Sequence, residues 1–533
     1  MSVLELKELL VGGGARPELD RFSLALGAGE TVVLLGEAGC GKEAVLRVLG
    51  GFGEREEMSG TIRFGDGESK QASRRSRATL RIAYLPGAAS EPLNPHASVA
   101  SQLARVIARK LDCPRASARE ELRAALARIA GAPPLEALDK RSANLDATTI
   151  SWGLLAAAMA VTPELVLADH PFADLSPSAT GVLTKTLLDE QKRLGFALLL
   201  AARTPGIAAR VGGRVIVMRH GRVIEEGDVA RLASTQSHAY TQTLFKALPL
   251  LANDRPPRSA ARGEPLLQVR GMDLRPGGKG RGREAISFEL RRGASLALIG
   301  EEGSGRHRLM RAVLGLERLP GSVVLDAVDL SVLSQTMTAR LRRRVAFITG
   351  SDDALDPRMT LWDTVGEPLR AHLHLSGELI AGYRESALKR VGLASHEGSR
   401  AVASLSPFDK RRLQVARAIV SAPLLAVVDE PLRGLDAFAR TVMLDLLSDF
   451  RSQQGPAFLV ITADFSVAQA LAEEALVLEN HRLVERGPIH DMLRAPKAAH
   501  TKGLIDAVSA AAPSQARQAG LEQTAIPPGQ QAQ

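Results

Sequence analysis

Two glycine-rich segments of the chain carry residue types that bind phosphate. The first, residues 36–43 (GEAGCGKE), follows an apolar run and precedes a helix-like run. Its glycines allow a tight turn with backbone N–H groups facing an anion, and the helix adds its positive dipole end. In this loop pattern the lysine, here Lys42, contacts the β- and γ-phosphates, and a serine or threonine holds Mg²⁺. The pattern breaks at that last position, which is Glu43.

The second segment, residues 300–307 (GEEGSGRH), also lies between an apolar run and a helix-like run. Arg306 stands at the lysine position and His307 at the hydroxyl position. An arginine keeps the positive charge of lysine but not its geometry. The residues predicted to contact a phosphate-bearing cofactor are Gly36, Gly39, Gly41, Lys42, Gly300, Gly303, Gly305 and Arg306.

Other landmarks repeat at nearly the same offset. Gly36 and Gly300 are 264 residues apart, and Asp169 and Asp429 are 260 residues apart. Each aspartate ends a short apolar run, which is typical of a buried strand in a parallel sheet. A fixed offset across several landmarks indicates a duplicated unit.

Composition limits the class of protein. A chain of 533 residues is too long for one core, so two or more domains are expected. Two cysteines exclude a disulfide framework and a Cys-rich metal site, and fit a reducing compartment. The net charge of +9 is compatible with a nucleotide, nucleic acid or an anionic membrane face, but equally with an arginine-rich surface. The apolar runs near 152–162 and 196–202 are shorter than the ~20 residues of a membrane span, and residues 1–10 do not read as a signal peptide.

Apolar runs and helical patterns alternate along the chain, which predicts an α/β core. The segments predicted as strands in the first half are 3–6, 22–26, 31–35, 82–84, 165–168, 197–200 and 214–218, and those predicted as helices are 44–49, 99–129, 154–161 and 181–193. The predicted domain organisation is a first domain at 1–250, a linker at 251–265, a second domain at 266–508 and a disordered tail at 509–533.

Several further segments resemble one family. They are 93–95 (LNP), 355–360 (LDPRMT, similar to LNPRMT), 222–227 (RVIEEG) with 237–241 (SHAYT), and 482–488 (RLVERGP) with His500 and Thr501. With the two loops, they make residues 3–249 and 266–507 resemble the ATP-binding subunit of bacterial peptide ABC importers. The similarity is to the oligopeptide, dipeptide and microcin C-type importers, in the form that fuses two cassettes into one chain.

The resemblance implies two P-loop ABC-type nucleotide-binding domains in tandem, each a RecA-like core with an antiparallel β subdomain and a helical subdomain. It implies ATP and Mg²⁺ as cofactors, and pairing of the two cassettes within the chain. The implied partners are two integral-membrane permease subunits and a periplasmic substrate-binding protein, and no nucleic acid. The implied location is peripheral, at the cytoplasmic face of the inner membrane.

The resemblance also assigns residues beyond the loops. Asp169 and Asp429 would hold Mg²⁺, and Glu430 would be the general base for ATP hydrolysis. In the family each ATP lies between the loop of one cassette and the signature segment of the other. Ser406 is the serine of the second signature segment and would contact nucleotide.

The chain departs from the family pattern at most catalytic positions. His170 replaces the first general base, Asp146 replaces the first signature serine, and Pro407 and Phe408 interrupt the second signature. Near the second site, Thr349 stands where the family has a glutamine and Ala463 stands where it has a histidine. Loss of one oxyanion-type donor typically costs ~10²–10³ in rate, so several losses predict very slow turnover.

Three functions remain open from the sequence. The chain is an energising ATP-binding subunit, a catalytically impaired cassette pair with a structural or regulatory function, or a soluble tandem-cassette protein acting on ribosomes or DNA. The third fits poorly because such proteins rely on intact signatures. Whether ATP is hydrolysed is open, as is whether Glu43 ligates Mg²⁺ or repels phosphate.

Overall fold

The computed structural model describes residues 2–12, 17–52, 58–65, 70–71, 80–87, 93–234, 237–246, 251, 264–275, 285–332, 344–351, 354–372, 376–452 and 455–510. The chain divides into two compact units, mainly Met1–Leu248 and Pro249–Leu435 with Ala439–Ser509. We call them the first unit and the second unit. Most of the linker predicted at 251–265 and of the tail predicted at 509–533 lies outside the described residues.

The described residues of the first unit form ten strands in two sheets. They are β1 (Ser2–Val11), β2 (Leu19–Gly27), β3 (Thr31–Leu35), β4 (Met58–Phe64), β5 (Lys70–Gln71), β6 (Ile82–Leu85), β7 (Leu165–Asp169), β8 (Ala197–Ala202), β9 (Arg214–Arg219) and β10 (Arg222–Gly227). The smaller sheet has the order β2-β1-β4-β5 and is antiparallel. The larger has the order β10-β9-β3-β8-β7-β6 and is parallel except for its β9–β10 pair.

The described residues of the first unit also form eight α-helices. They are α1 (Lys42–Gly50), α2 (Val99–Leu111), α3 (Arg115–Arg128), α4 (Ala147–Ala160), α5 (Pro177–Leu194), α6 (Pro205–Val211), α7 (Val229–Leu232) and α8 (Ala239–Lys246). One cluster of buried residues joins α2, α3 and α4 to one face of the larger sheet, and another joins α1 and the smaller sheet to its opposite face.

The second unit repeats this architecture. Its strands are β11 (Pro265–Met272), β12 (Ile286–Arg291), β13 (Ser295–Ile299), β14 (Ser322–Leu325), β15 (Val328–Asp329), β16 (Val345–Thr349), β17 (Leu425–Asp429), β18 (Ala457–Thr462), β19 (Glu474–Glu479) and β20 (Arg482–Pro488). The sheet orders are β12-β11-β14-β15 and β16-β17-β18-β13-β19-β20. Since the larger order equals that of the first unit read from its other edge, the duplication inferred from sequence is also a duplication of fold.

The helices of the second unit follow the same plan. They are α9 (Arg306–Val313), α10 (Leu361–His372), α11 (Gly377–Arg390), α12 (Pro407–Val420), α13 (Ala437–Ser452), α14 (Phe465–Leu471), α15 (Ile489–Arg494) and α16 (Ala499–Ser509). The fold expected from the resemblance is confirmed: each unit has a mainly parallel α/β core, an antiparallel β sheet and a group of helices.

The helix predicted over 99–129 is wrong in one respect, because two helices occupy that range. α2 ends at Leu111, and Asp112 follows with a left-handed φ of 49°. Pro114 has no backbone N–H to continue a helix, and it stands immediately before α3. The continuous pattern of apolar residues concealed this break.

No helix within the described parts of the chain has the length and apolar character needed to cross a membrane.

Candidate functional site

The two glycine-rich loops occupy equivalent places in the two units. Each follows the strand that lies third in its larger sheet, counted from the antiparallel edge, and each ends where a helix begins. Gly41 has a φ of 106° and Gly305 a φ of 96°, a region that favours glycine. A side chain at Gly41 would place Cβ 2.6 Å from the backbone oxygen of Glu18. The predicted loop conformation therefore depends on these glycines.

Lys42 is the first residue of α1, and its side chain is completely buried. Its Nζ donates to the backbone oxygen of Glu37 at 2.7 Å and lies 2.9 Å from Oε1 of Glu43. A longer contact of 3.9 Å reaches Sγ of Cys40. Since an ammonium group has three donors, the Lys42 donors are all directed at atoms of its own loop.

Glu43 joins the loop to the end of β7. Its Oε1 lies 3.0 Å from Nε2 of His170, the residue that follows Asp169. Burial opposes ionisation of Glu43, but the hydrogen bond with His170 and the charge of Lys42 hold its pKa at about 2. Burial lowers the pKa of His170. The residue at the expected hydroxyl position is therefore a carboxylate already engaged by two partners.

Tyr84 binds Asp169, the second carboxylate of the first site. Its hydroxyl donates to Oδ2 of Asp169 at 2.8 Å. Burial raises the pKa of Tyr84, and the Asp169 charge adds to this effect. Oδ1 of Asp169 has no hydrogen-bond partner and lies 3.6 Å from Nε2 of His170. The contact made by Tyr84 was not predicted from the sequence. Its counterpart in β16 is Phe347, which has no hydroxyl, and this difference between the repeats is a signal that could have identified Tyr84.

In the second unit Arg306 is bound to the predicted general base. Arg306 is 4% exposed, and its Nη2 donates to Oε1 of Glu430 at 2.9 Å. Glu430 also accepts from the backbone N–H of Ala463 at 2.8 Å and from Oγ1 of Thr462 at 3.1 Å. Burial raises the pKa of Glu430, against the opposing charge of Arg306. Three donors thus occupy the carboxylate.

His307 makes the matching contact with the predicted metal ligand. Its Nε2 lies 3.2 Å from Oδ1 of Asp429. In each unit the residue at the hydroxyl position therefore contacts the end of the strand, but not at the same place. Glu43 faces His170 in the first unit, whereas His307 faces Asp429, the counterpart of Asp169, in the second. The residue after each aspartate, His170 or Glu430, has a left-handed φ of 48° or 44°. The strand-end geometry is thus retained while the side chains differ.

The residues of the two signature segments cap helices. Oγ of Ser406 accepts from the N–H of Asp409 at 3.1 Å at the start of α12, where Pro407 is the first helical residue. Asp146 accepts from the N–H of Thr149 at 2.7 Å at the start of α4. Both segments have the helix-entry geometry, since Ser and Asp are strong N-cap residues. The assignment of Ser406 to nucleotide contact stays a prediction.

The site residues do not offer Mg²⁺ a free set of ligands. In the first unit Glu43 is engaged by Lys42 and His170, and Tyr84 binds only Oδ2 of Asp169, which leaves Oδ1 without a partner. In the second unit His307 engages Asp429 and Arg306 engages Glu430. Across the described residues, no group of three or more His, Cys, Asp or Glu side chains could hold a metal ion. The residues of the second unit therefore do not fit Mg²⁺, and the assignment of Asp169 and Asp429 as metal ligands stays a prediction.

The first loop also contacts the C-terminal segment of its own unit. The hydroxyl of Tyr240, on α8, accepts from the backbone N–H of Glu37 at 3.3 Å. Cζ of Arg219 lies 4.8 Å from the centre of the Tyr240 ring. At the equivalent positions, 260 residues later, Nδ1 of His500 lies 3.5 Å from Oε1 of Glu479. The SHAYT segment singled out in the sequence thus supports the loop.

Tyr240→Phe should lower the free energy of unfolding of the first unit by about 1 kcal/mol, because it removes the acceptor of the Glu37 N–H. The measurement is urea unfolding followed by Trp152 fluorescence, in a chain carrying Trp362→Phe. Tyr383→Phe is the matched control, since Tyr383 is 51% exposed in the second unit. Equal midpoints for Tyr240→Phe and the parent chain would contradict a supporting contact.

Comparison with known proteins agrees with this architecture. Sequence profiles match the ABC transporter family at residues 19–173 and 284–433, more than half of the chain, and the oligopeptide/dipeptide transporter C-terminal region at 224–272. The chain is 29% identical to the glutathione import ATP-binding protein GsiA of Escherichia coli strain K12 and to that of Shigella flexneri; each match covers 93% of this chain and 87% of the relative. Among solved structures, cbiO1 of Clostridium perfringens, part of an ABC transporter complex, matches with 20% identity and a TM-score of 0.41, covering 48% of this chain and 99% of that chain. The repeated fold, the paired loops and these two family matches lead to one conclusion: the chain belongs to the ABC transporter family, as a fused pair of ATP-binding cassettes of the peptide-importer type.

Proposed function

We propose that this chain is the ATP-binding subunit of a peptide-type importer whose cassettes bind nucleotide but hydrolyse it far more slowly than complete cassettes. The match of residues 224–272 to the oligopeptide/dipeptide transporter region and the homology to GsiA support the importer class. The partners in this proposal are two membrane permeases and a periplasmic substrate-binding protein. The location is the cytoplasmic face of the inner membrane, where the chain is peripheral.

The proposal of slow turnover rests on one observation, the Arg306–Glu430 ion pair of 2.9 Å. Phosphoryl transfer needs a group that orients water and cations that neutralise the transferring phosphoryl oxygens. Glu430 is the only glutamate at either strand-end position, since the first unit has His170 there. Because its oxygens accept from Arg306, Ala463 and Thr462, Glu430 is poorly placed to take a proton from water.

Steady-state ATP hydrolysis by the purified full-length chain in the presence of Mg²⁺ tests this proposal, with Glu430→Gln as the control. We expect the rate to equal that of Glu430→Gln, because the carboxylate is already engaged. A parent rate at least about tenfold above the variant would make Glu430 an active base and the chain an energising ATPase. Permease subunits reconstituted with the chain should be included, since docking can rearrange the site.

The second candidate function is a cassette pair that acts structurally and binds no nucleotide. The ion pairs that fill both sites favour this candidate, since Glu43 is an ionised carboxylate beside the first loop. Equilibrium binding of a fluorescent ATP analogue separates the two candidates. Saturable binding supports the proposal, whereas failure to bind with or without Mg²⁺ supports the structural function.

A further inference from the structure

Arg306 is a buried cation with unused hydrogen-bond donors. Its side chain is 4% exposed and its Nη2 is bound to Glu430, but Nε and Nη1 have no hydrogen-bond partner. Native structures rarely leave buried donors unpaired, because each such group loses its hydration without compensation. Two of the three nitrogens in this side chain are unpaired, which indicates that an acceptor outside the chain belongs beside this guanidinium.

The surrounding backbone favours an anionic acceptor. Arg306 is the first residue of α9, whose N-terminus has no side-chain cap. The preceding loop turns through Gly303 and Gly305, which have φ values of 80° and 96°. The N-terminus of this helix, where the positive end of the helix dipole lies, therefore meets the guanidinium at one place. Charge-assisted bonds from arginine to phosphate oxygens are the strongest contacts such a place can make.

The same contacts engage the carboxylates that could otherwise bind a divalent cation. Arg306 lies on Glu430, and Nε2 of His307 lies 3.2 Å from Oδ1 of Asp429. Both carboxylates of the strand end are thus engaged by side chains of α9.

We propose that the second unit binds the polyphosphate of a nucleotide without a divalent cation. Arg306 supplies the positive charge that neutralises the polyphosphate, and His307 occupies the Asp429 carboxylate. This inference rests on the proposed function, in which the chain binds nucleotide. It sets the second unit apart from the first. There, Lys42 directs its donors at Glu37, Cys40 and Glu43, so no donor of that cation remains for a ligand.

The test is titration of the full-length chain with methylanthraniloyl-ATP, once in Mg²⁺ and once in EDTA. The dissociation constants in the two buffers should differ by less than about threefold, a difference smaller than one hydrogen bond would produce. Arg306→Ala should weaken binding in EDTA at least about tenfold. The matched control is Arg311→Ala on the same helix, an arginine whose side chain is 50% exposed and pairs with Glu317; it should leave binding unchanged.

Two further variants keep the test decisive. Arg306→Ala with Glu430→Gln removes both members of the ion pair, so a loss of binding is not a consequence of an unpaired buried carboxylate. Arg306→Lys with His307→Thr restores the residue types of the family pattern. This second variant should bind at least about tenfold more tightly in Mg²⁺ than in EDTA, because Asp429 and the new hydroxyl become available.

The outcomes distinguish the inference from the proposed function. Binding of the parent chain only in Mg²⁺ would overturn the inference and leave the proposed function standing. Binding in EDTA that Arg306→Ala leaves unchanged would place the nucleotide elsewhere and also overturn the inference alone. Absence of binding in both buffers would overturn the proposed function itself.

Discussion

Arg306→Met should lower the free energy of unfolding of the second unit by about 2–3 kcal/mol. The substitution keeps most of the side-chain volume but leaves the Glu430 carboxylate without its cation. Breaking a buried ion pair by removing one partner typically costs 3–5 kcal/mol. We expect the lower value because the Glu430 side chain is 21% exposed, so that water compensates part of the lost contact.

The chain contains two tryptophans, one in each unit, which makes the measurement selective. With Trp152→Phe as background, Trp362 fluorescence during urea unfolding reports on the second unit. Arg306→Met with Glu430→Gln should recover most of the loss, because no charge is left unpaired. Arg311→Met, at an exposed arginine of α9, should change the midpoint little. If Arg306→Met unfolds like the parent chain, the ion pair does not stabilise this unit.

Glu43→Gln should lower the free energy of unfolding of the first unit by about 2–3 kcal/mol at pH 7, and by progressively less at acid pH. In the folded chain the pKa of Glu43 is held at about 2, below its ordinary value of 4.5. A depressed pKa contributes stability that is fully present above pH 4.5 and is lost as the pH falls towards 2. The variant has no carboxylate to protonate at this position. The free energy of unfolding of the parent chain should therefore approach that of the variant as the pH falls from 4.5 towards 2.

Trp152 fluorescence in a chain with Trp362→Phe follows this unit during unfolding. Midpoints should be compared for the parent chain and Glu43→Gln at several pH values between 7 and 2. Other carboxylates also titrate there, so the informative quantity is the difference between the two chains. Glu121→Gln, on the exposed side of α3, is the control for removal of one carboxylate. A difference between parent and Glu43→Gln that stays constant with pH would contradict the ion-pair assignment.

The backbone of the site could be predicted from the sequence, because local patterns encode it. The apolar runs at 31–35 and 165–168 are seen as β3 and β7 with nearly the same bounds. Glycines at fixed spacing identify the loop, since few other residues adopt the φ of 106° found at Gly41. Comparing the two halves supplied the duplication without any structural information.

The side-chain contacts of the site could not be predicted in the same way. Glu43 and His170 are far apart in sequence and meet only because β3 and β7 lie in one parallel sheet, separated by β8. Read singly, they indicated a missing hydroxyl and a missing base. As a pair they form one contact, and His307 makes a different contact with the strand end of the second unit, at Asp429. Such contacts depend on strand order, which local periodicity does not specify.

The order of the strands has a consequence for synthesis of the chain on the ribosome. β3 pairs with β8 and β9. During translation, Thr31 therefore cannot pair with β8 until Leu198 has been synthesised, and Val32 cannot pair with β9 until Arg214 has been synthesised. β13 waits in the same way for β18 and β19. Two apolar strands, each leading into a glycine-rich loop, therefore stay unpaired while most of a unit is translated. Since exposed apolar strands promote aggregation and sequentially distant pairings form slowly, each nascent unit should depend on chaperones until its last core strands emerge.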